Sequence, residues 1–423
     1  MDLQDKLSVL MSLAADDREG MPGTTTAEPP RIRNARLAGA LRPLNLRDVR
    51  IGANGPRAKL LRILMTNACS YNCHYCPMRR DRNLPRTLLK PHEMVRIFLE
   101  ALTRGWCSGL FITTGIPGRP QKVTDDLIQV LELLRIRHGY RGYIHVKLIA
   151  GADDAQIARL TLLASRVSFN LETPCGESLE QIAPDKSFAS SLVTLQRAQR
   201  LVVAAQLAER DGRPRDELRP GGVTGMTTQF VVGATGDSDS AVMGRAAELY
   251  RSGGVHHAHF SAFRPIRDTP LENAPAAPAI REHRLYQADH LIRQYGFAKN
   301  ELVFDDAGNL PLARDPKVSW ALAHPDDFPI EVCRASYSRL IRVPGIGPLA
   351  ARRIVNARRN TAFRGFADLR KLGVLVDRAA GFLSIGGRRP SGVRWVEQLT
   401  LWTPETDAGA RAGTYEFSPG TFR

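Results

Sequence analysis

From Lys59 to Pro265 the sequence alternates between strand-like and helix-like stretches, and nothing else in it constrains the fold so tightly. "KLLRILMTN" reads as a strand, and "KPHEMVRIFLEALTRG" as a helix with proline near its start and glycine at its end. The pattern continues through the strands "SGLFITTG", "GYIHVKLIAG", "SRVSFNLETP", "TTQFVVGA" and "VHHAHFSAFRP", with helical stretches between them. Alternation at this spacing predicts βα units around a parallel sheet. Six such units predict an α/β fold, a (βα)6 partial barrel of TIM type, with its chemistry at the C-terminal strand ends.

Two strands carry one polar face each. In "RVSFNLET" the period of two puts Ser168, Asn170 and Glu172 together, opposite Val167, Phe169 and Leu171. In "YIHVKLI" it groups His145 and Lys147 against Ile144, Val146 and Leu148. Parallel strands buried on both sides are ordinarily apolar almost throughout. The polar face therefore lines a cavity that binds something, or fills a polar structural interior.

Directly after the first strand stands "NACSYNCHYC", with Cys69, Cys73 and Cys76 in a Cys-x3-Cys-x2-Cys spacing. Thiolates are soft ligands for zinc and iron–sulfur clusters. A closed structural site wants four ligands, whereas three leave one iron of a [4Fe–4S] cluster open for a substrate or cofactor. Cys107, Cys175 and Cys333 are isolated in sequence, and any of them could close a structural site.

The cysteine loop after strand one of a six-fold βα pattern resembles the radical SAM enzymes. That resemblance implies a [4Fe–4S] cluster on Cys69, Cys73 and Cys76, with S-adenosylmethionine on the open iron. It further implies reductive cleavage of S-adenosylmethionine to a 5′-deoxyadenosyl radical that abstracts a substrate hydrogen; the cofactors carry this chemistry and the protein positions them. Carried over residue by residue, Tyr75 matches the aromatic beside the adenine. Thr113, Thr114 and Gly115 match the turn at the methionine amino group, and Asn170 and Glu172 the polar groups that hold the ribose or methionyl end. An electron donor such as flavodoxin or ferredoxin is implied as a partner.

Beyond the barrel, "REHRLYQADHLIRQYGF" reads as an amphipathic helix, with Leu285, Ala288, Leu291 and Ile292 on its apolar stripe. "LIRVPGIGPLAARRIV" then has the form of a helix-hairpin-helix: a helix to Val343, a tight turn through Pro344, Gly345, Ile346 and Gly347, and a second helix from Pro348. Glycines in such a turn permit close backbone approach, and a helix N-terminus favours phosphate. From Arg334 to Arg394 there are fourteen Lys or Arg against two Asp or Glu, so most of the chain's net charge of +16 lies here. Gly345, Ile346, Gly347, Arg352 and Arg353 are the expected DNA contacts, made through phosphates and indifferent to sequence. A small helical domain that binds protein or packs on the barrel is the other reading of this segment.

Together the two halves resemble the DNA modification or repair radical SAM proteins with a C-terminal helix-hairpin-helix, a family often linked to a uracil-DNA-glycosylase-like partner. The matching stretches, among them "LLRILMTNACSYNCHYCPMRR", "DPKVSWAL" and "VPGIGPLAARRIV", are scattered over residues 59–385, while "TTG" and "FNLETP" depart from the family's usual wording. The expected organisation is an N-terminal helix and irregular arm over 1–58, the barrel over 59–300, a small all-α helix-hairpin-helix domain over 301–395, and a C-terminal tail over 396–423 that is poorly ordered past Thr403. The N-terminus lacks the basic flank and apolar run of a signal peptide, and no stretch approaches the ~18 apolar residues of a membrane span. The chain is thus expected in the cytoplasm, where cysteines stay reduced and cluster for metal or catalysis. The function expected is a radical SAM enzyme of DNA modification or repair. The alternatives are an RNA-base-modifying radical SAM enzyme and a DNA-binding repair accessory protein with a structural cluster.

Overall fold

The computed structural model describes residues 3–14, 46–50, 57–212, 222 and 225–389. Most of the expected arm, the Gly/Pro/Arg-rich loop before "TTQFVVGA" and the whole tail lie outside these residues. By its own contacts the chain divides into two units: residues 1–237 with 248–277, and residues 238–247 with 278–423.

The first unit is built on a sheet of seven strands in sequential order. These are β1 (Leu46–Arg50), β2 (Arg57–Leu64), β3 (Gly109–Thr113), β4 (Tyr143–Lys147), β5 (Arg166–Ser168), β6 (Met226–Val232) and β7 (Val255–Ala262). The six from β2 to β7 are parallel, consistent with the expected partial barrel. β1 is an addition: it pairs antiparallel with β2, Leu46 opposite Leu61, inside the arm read as irregular. Its sequence, "LRDVR", carries two arginines and an aspartate, too polar to announce a strand.

Helices α1 (Leu3–Ala14), α2 (Pro91–Thr103), α3 (Pro120–Glu132), α4 (Asp154–Leu163), α5 (Gly176–Ile182) and α6 (Phe188–Arg210) connect or flank the strands, while α7 (Asp239–Arg251) follows β6 in sequence with its residues 239–247 in the second unit. Their starts follow from local chemistry. Pro91 opens α2, where Glu93 accepts from the Lys90 N–H at 2.8 Å. Asp153 and Gln156 cap α4 reciprocally. The outward strand residues Leu61, Ile63, Leu110, Ile112, Ile144 and Val146 are fully buried.

The inward residues form rungs. Arg62, Phe111, His145 and Arg166 are paired across β2 to β5. The Arg62 guanidinium lies 4.8 Å from the Phe111 ring centre, and His145 meets Phe111 edge-on at 4.5 Å. Burial, with the cations of Arg166, Lys147 and Arg62 around it, pulls the His145 pKa well below the ordinary histidine value. This lower rung is packed, and the rung above it opens into a cavity. The strict alternation expected along "RVSFNLET" breaks after Ser168, where β5 ends; the Phe169 N–H still donates to the Thr227 carbonyl, and the chain pairs again at Glu172, bridged to Phe230. Phe169 consequently shares the cavity wall with Asn170 and Glu172.

In the second unit the main elements are α8 (Ala279–Tyr295), α9 (Pro316–Ala323), α10 (Tyr337–Leu340), α11 (Pro348–Ala357), α12 (Phe366–Lys371) and α13 (Val376–Ala379). It groups α8, placed before the expected boundary at 300, with the C-terminal elements. The unit is not all-α: β8 (Ile330–Glu331) and β9 (Leu383–Ser384) form a short parallel pair. The Glu331 carboxylate fastens it, accepting from the Ser384 hydroxyl and the N–H groups of Cys333, Gly386 and Gly387.

The turn between α10 and α11 is held from inside. Gly345 has φ +84°, and its carbonyl accepts from the Leu375 N–H at 2.9 Å. The Ile346 side chain is buried, and its carbonyl accepts from the buried Lys317 Nζ at 2.6 Å. A Cβ on Gly345 would lie 2.5 Å from the Leu375 carbonyl oxygen, whereas one on Gly347 meets only the Tyr295 hydroxyl at 3.4 Å. Gly345 thus makes its close approach to the chain just before α13. We expect Gly345→Ala to destabilise the second unit by at least about 1–3 kcal/mol, from backbone strain alone, and Gly347→Ala to stay near wild type. Thermal denaturation of the full chain compares the two; equal melting curves would contradict this role for Gly345.

Candidate functional site

A cavity of about 320 Å³ opens at the C-terminal ends of the parallel strands, all within the first unit. Cys69, Cys73 and Cys76 line it, together with Tyr75. So do Thr113, Thr114 and Gly115 after β3, and Asn170 and Glu172 after β5. The residues expected at the cofactors are therefore gathered on one wall system. Gly345, Ile346, Gly347, Arg352 and Arg353 belong to the second unit. There Arg352 and Arg353 are exposed on α11, whose start no side chain caps. Arg358, at the end of the same helix, instead donates to the carbonyls of Val332 and Ala335.

The cysteine loop is pinned to its neighbours. The Gly115 N–H donates to the Thr66 carbonyl at 2.8 Å, and the Ser70 N–H to the Ile116 carbonyl at 2.8 Å. A Cβ on Gly115 would stand 2.2 Å from the Ala68 carbonyl oxygen, so only glycine allows the turn after β3 to lie against the loop. On the other side Asn67 is fully buried; its amide donates to the Pro85 carbonyl and accepts from the Thr87 N–H.

Burial pushes the Cys73 thiol up to about 11 and the Cys76 thiol up to about 12. Thiols so averse to ionising become ligands only against a cationic centre, which iron supplies. Among the described residues, no group of three His, Cys, Asp or Glu could hold a single metal ion. A cluster instead takes each thiolate on a separate iron, and three thiolates around one cavity suit it. Cys107 is buried ahead of β3, and Cys175 touches the Ser178 hydroxyl at the start of α5; neither lines the cavity.

Near the cysteines sits an ion pair. Lys186 donates to Glu172 Oε1 at 2.8 Å, and both side chains are largely buried. Burial works against the Lys186 ammonium, yet the Glu172 carboxylate beside it holds it charged and raises its pKa. The Tyr75 phenol interacts with the Glu172 carboxylate, whose Oε2 makes no close hydrogen bond, and Glu172 takes φ +68°, a conformation few residues other than glycine adopt. Such strain persists at sites that use it. Beside it runs a relay in which the Asn170 amide donates to Gln229 at 3.2 Å and the Gln229 amide to the Ser261 hydroxyl at 2.8 Å. Asn170 Oδ1 is buried and unpartnered. Unsatisfied acceptors in a cavity wall suit a ligand bearing donors, as the amino and ribose groups of S-adenosylmethionine are.

Sequence reading missed Lys186, Gln229 and Ser261. Lys186 stands in the loop between α5 and α6, where no periodicity marks it. Gln229 and Ser261 carry the period-two signal of β6 and β7, which points inward but does not select a residue.

Residues 63–204 match the family model described as "Radical SAM superfamily", a span that holds the cysteine loop and most of the cavity wall. The chain therefore carries a radical SAM domain, the domain of enzymes that work with a [4Fe–4S] cluster and S-adenosylmethionine. No curated protein matches the sequence. Among solved structures, the [FeFe]-hydrogenase maturase HydG from Carboxydothermus hydrogenoformans is 17% identical, with a TM-score of 0.43 over 55% of this chain and 51% of that one. Methylornithine synthase (PylB) is 14% identical, with a TM-score of 0.41 over 67% and 75%. A radical SAM methyltransferase from Sphaerobacter thermophilus is 15% identical, with a TM-score of 0.39 over 55% and 64%. The chain spans about half the length of the HydG maturase. Among the described residues no helix is long and apolar enough to cross a membrane.

Replacing Gly115 by Ala forces the Ala68 carbonyl to move, at a cost of about 1–3 kcal/mol typical of overpacking. Iron bound per chain after anaerobic reconstitution should then fall below the wild-type value. Undiminished iron in Gly115→Ala would show that the loop's contact with the turn does not govern cluster binding.

Proposed function

We propose that this chain, starting from its radical SAM domain, acts in the cytoplasm in DNA modification or repair, with the second unit holding the nucleic acid through phosphates. The observation that carries the catalytic half is the convergence of three thiolates, a buried Glu172–Lys186 pair and unsatisfied polar acceptors on one cavity. Cys69, Cys73 and Cys76 would hold the [4Fe–4S] cluster, while Tyr75, Thr113, Thr114, Gly115, Asn170 and Glu172 face S-adenosylmethionine. When bound, the two cofactors supply reductive cleavage and hydrogen abstraction. The chain's own residues exclude water, orient the methionyl and ribose groups, and keep Lys186 protonated beside Glu172. An acidic one-electron donor of the flavodoxin or ferredoxin kind is the reductant this chemistry needs, and a uracil-DNA-glycosylase-like protein is a further proposed partner.

The nucleic-acid half rests on the helix-hairpin-helix reading of α10 and α11 and on charge. Arg334, Arg352, Arg353, Arg359, Arg364, Lys371, Arg388 and Arg389 are all exposed in the second unit. Long-range attraction by these groups, with donors at the uncapped start of α11, favours a phosphate backbone and reads no bases. The Ile346 N–H is spent on the Val343 carbonyl and Pro348 has none, so the N–H groups of Gly347, Leu349 and Ala350 are the donors at the uncapped start of α11.

Two measurements test the proposal. Anaerobically reconstituted chain given S-adenosylmethionine and dithionite should release deoxyadenosine, and Cys73→Ala should release none; full turnover by Cys73→Ala would remove the catalytic reading. In gel-shift titrations of the full chain with duplex DNA, engagement of about four phosphates predicts a roughly hundredfold loss of affinity for a fourfold rise in salt. Arg352→Ala should lower the log–log salt slope by about one. Salt-independent binding, or a clear preference for RNA, would move the assignment to the protein-interaction or RNA-modifying alternative.

A further inference from the structure

We infer that Arg86 is a positioning residue for the cluster loop: its guanidinium draws together main-chain carbonyls from both sides of the cysteine triplet and keeps the three thiolates facing one cavity. Its Nη1 donates to the carbonyl of Asn67, two residues before Cys69, at 2.5 Å, and to that of Met78, two residues after Cys76, at 2.8 Å. Its Nη2 donates to the carbonyls of Arg79 at 2.5 Å and Arg82 at 2.9 Å, with a longer contact to Arg80 at 3.4 Å. One planar cation therefore closes the loop into a ring. A guanidinium is suited to this because its donors spread in a fixed fork, which an ammonium lacks. Arg86 is itself anchored next to Thr87, whose N–H donates to Asn67 Oδ1 and whose carbonyl accepts from the Thr66 hydroxyl. The other arginines of the loop are turned to local partners: Arg79 and Arg80 pair with Asp81, and Arg82 donates to the Pro77 carbonyl.

A second consequence is electrostatic. Burial lowers the Arg86 pKa, while the charges of Cys69 and Cys76 oppose the shift, which places the cation within their field. Three thiolates give a bound cluster net negative charge, and one-electron reduction adds to it. A fixed cation nearby favours the reduced state, since cluster potentials follow net charge and hydrogen bonding to the site. Arg86 thus holds the loop by geometry and tunes the cluster by charge, and the two effects separate in mutants.

This inference rests on the radical SAM reading, and the experiment distinguishes failure of one from failure of the other. In the iron-free full chain, Arg86→Gln should speed tryptic cleavage after Arg79, Arg80 and Arg82, because the carbonyls that order this stretch are released. In the reconstituted chain it should lose iron to a chelator about 10- to 100-fold faster than wild type, the effect usual for a group that orients metal ligands. Its cluster midpoint potential, followed by electron paramagnetic resonance, should move to more negative values. Arg86→Lys keeps the charge without the fork, so it should restore the potential toward wild type and leave iron loss fast. Wild-type protease resistance, iron retention and potential in Arg86→Gln would overturn the assignment. If Arg86→Gln does not fold, Arg86→Lys decides, and wild-type iron retention in it overturns the ring. A wild-type chain that binds no iron would instead strike the radical SAM reading, and the protease comparison would still judge the ring.

Discussion

Between Leu64 and Pro91 the chain leaves regular structure at the end of a buried strand, and it must satisfy its own main chain there without a ladder. Thr66, Asn67 and Arg86 do this from within the segment, and the turn after β3 does it from outside. Everything at the cavity depends on the result. A loop free to choose its conformation would present three cysteines in many arrangements, each averse to ionising in a buried setting. Fixed between Gly115 and Arg86, the same cysteines share one cavity. The Glu172–Lys186 pair then has a defined neighbourhood, and the strain at Glu172 is carried by its bridge to Phe230 and its ion pair.

Charge in this chain has two populations that composition merges. A net +16 suggested a polyanionic partner, but several arginines spend their donors inside. Arg135 is fully buried and donates to the carbonyls of Leu163, Tyr140 and Gly142. Arg284 serves the Leu312 carbonyl, and Arg358 the carbonyls of Val332 and Ala335. Arginine suits irregular backbone because one side chain satisfies several carbonyls at once. A basic balance therefore overstates the field at the surface. The exposed arginines of α11 and its surroundings carry the nucleic-acid reading, while the total does not.

The alternation of strands and helices was legible because periods of two and 3.6 are written in local hydrophobicity, and the cysteine spacing because three soft ligands in eight residues have few uses. Placement of Asn170 and Glu172 at the cavity followed from parity, but parity also put Phe169 on the far face. Regular pairing ends at Ser168, just before Phe169, and nothing in the local sequence marks that end. Lys186 was invisible for a different reason. Its partner lies fourteen residues earlier, across α5, and only the folded chain sets an ammonium beside a carboxylate. β1 escaped because an edge strand need not be apolar. The β8–β9 pair escaped because two residues per strand make no pattern.

Gly345 marks where motif reading and packing diverge. In "VPGIGPLAARRIV" both glycines look like places where a foreign backbone can come close. The first is occupied by the chain's own return: the segment before α13 donates to its carbonyl and fills the space a Cβ would need. Lys317, buried and beside the Tyr295 ring, takes the next carbonyl. Two successive carbonyls of the turn are thus neutralised from within, which removes partial negative charge from a surface proposed to meet phosphate. The N–H side of the turn and of α11 is left to dominate the local field. Internal packing and the proposed anion preference would then be one arrangement: acceptors are drawn inward by Leu375 and Lys317, and the donors at the uncapped start of α11 are left.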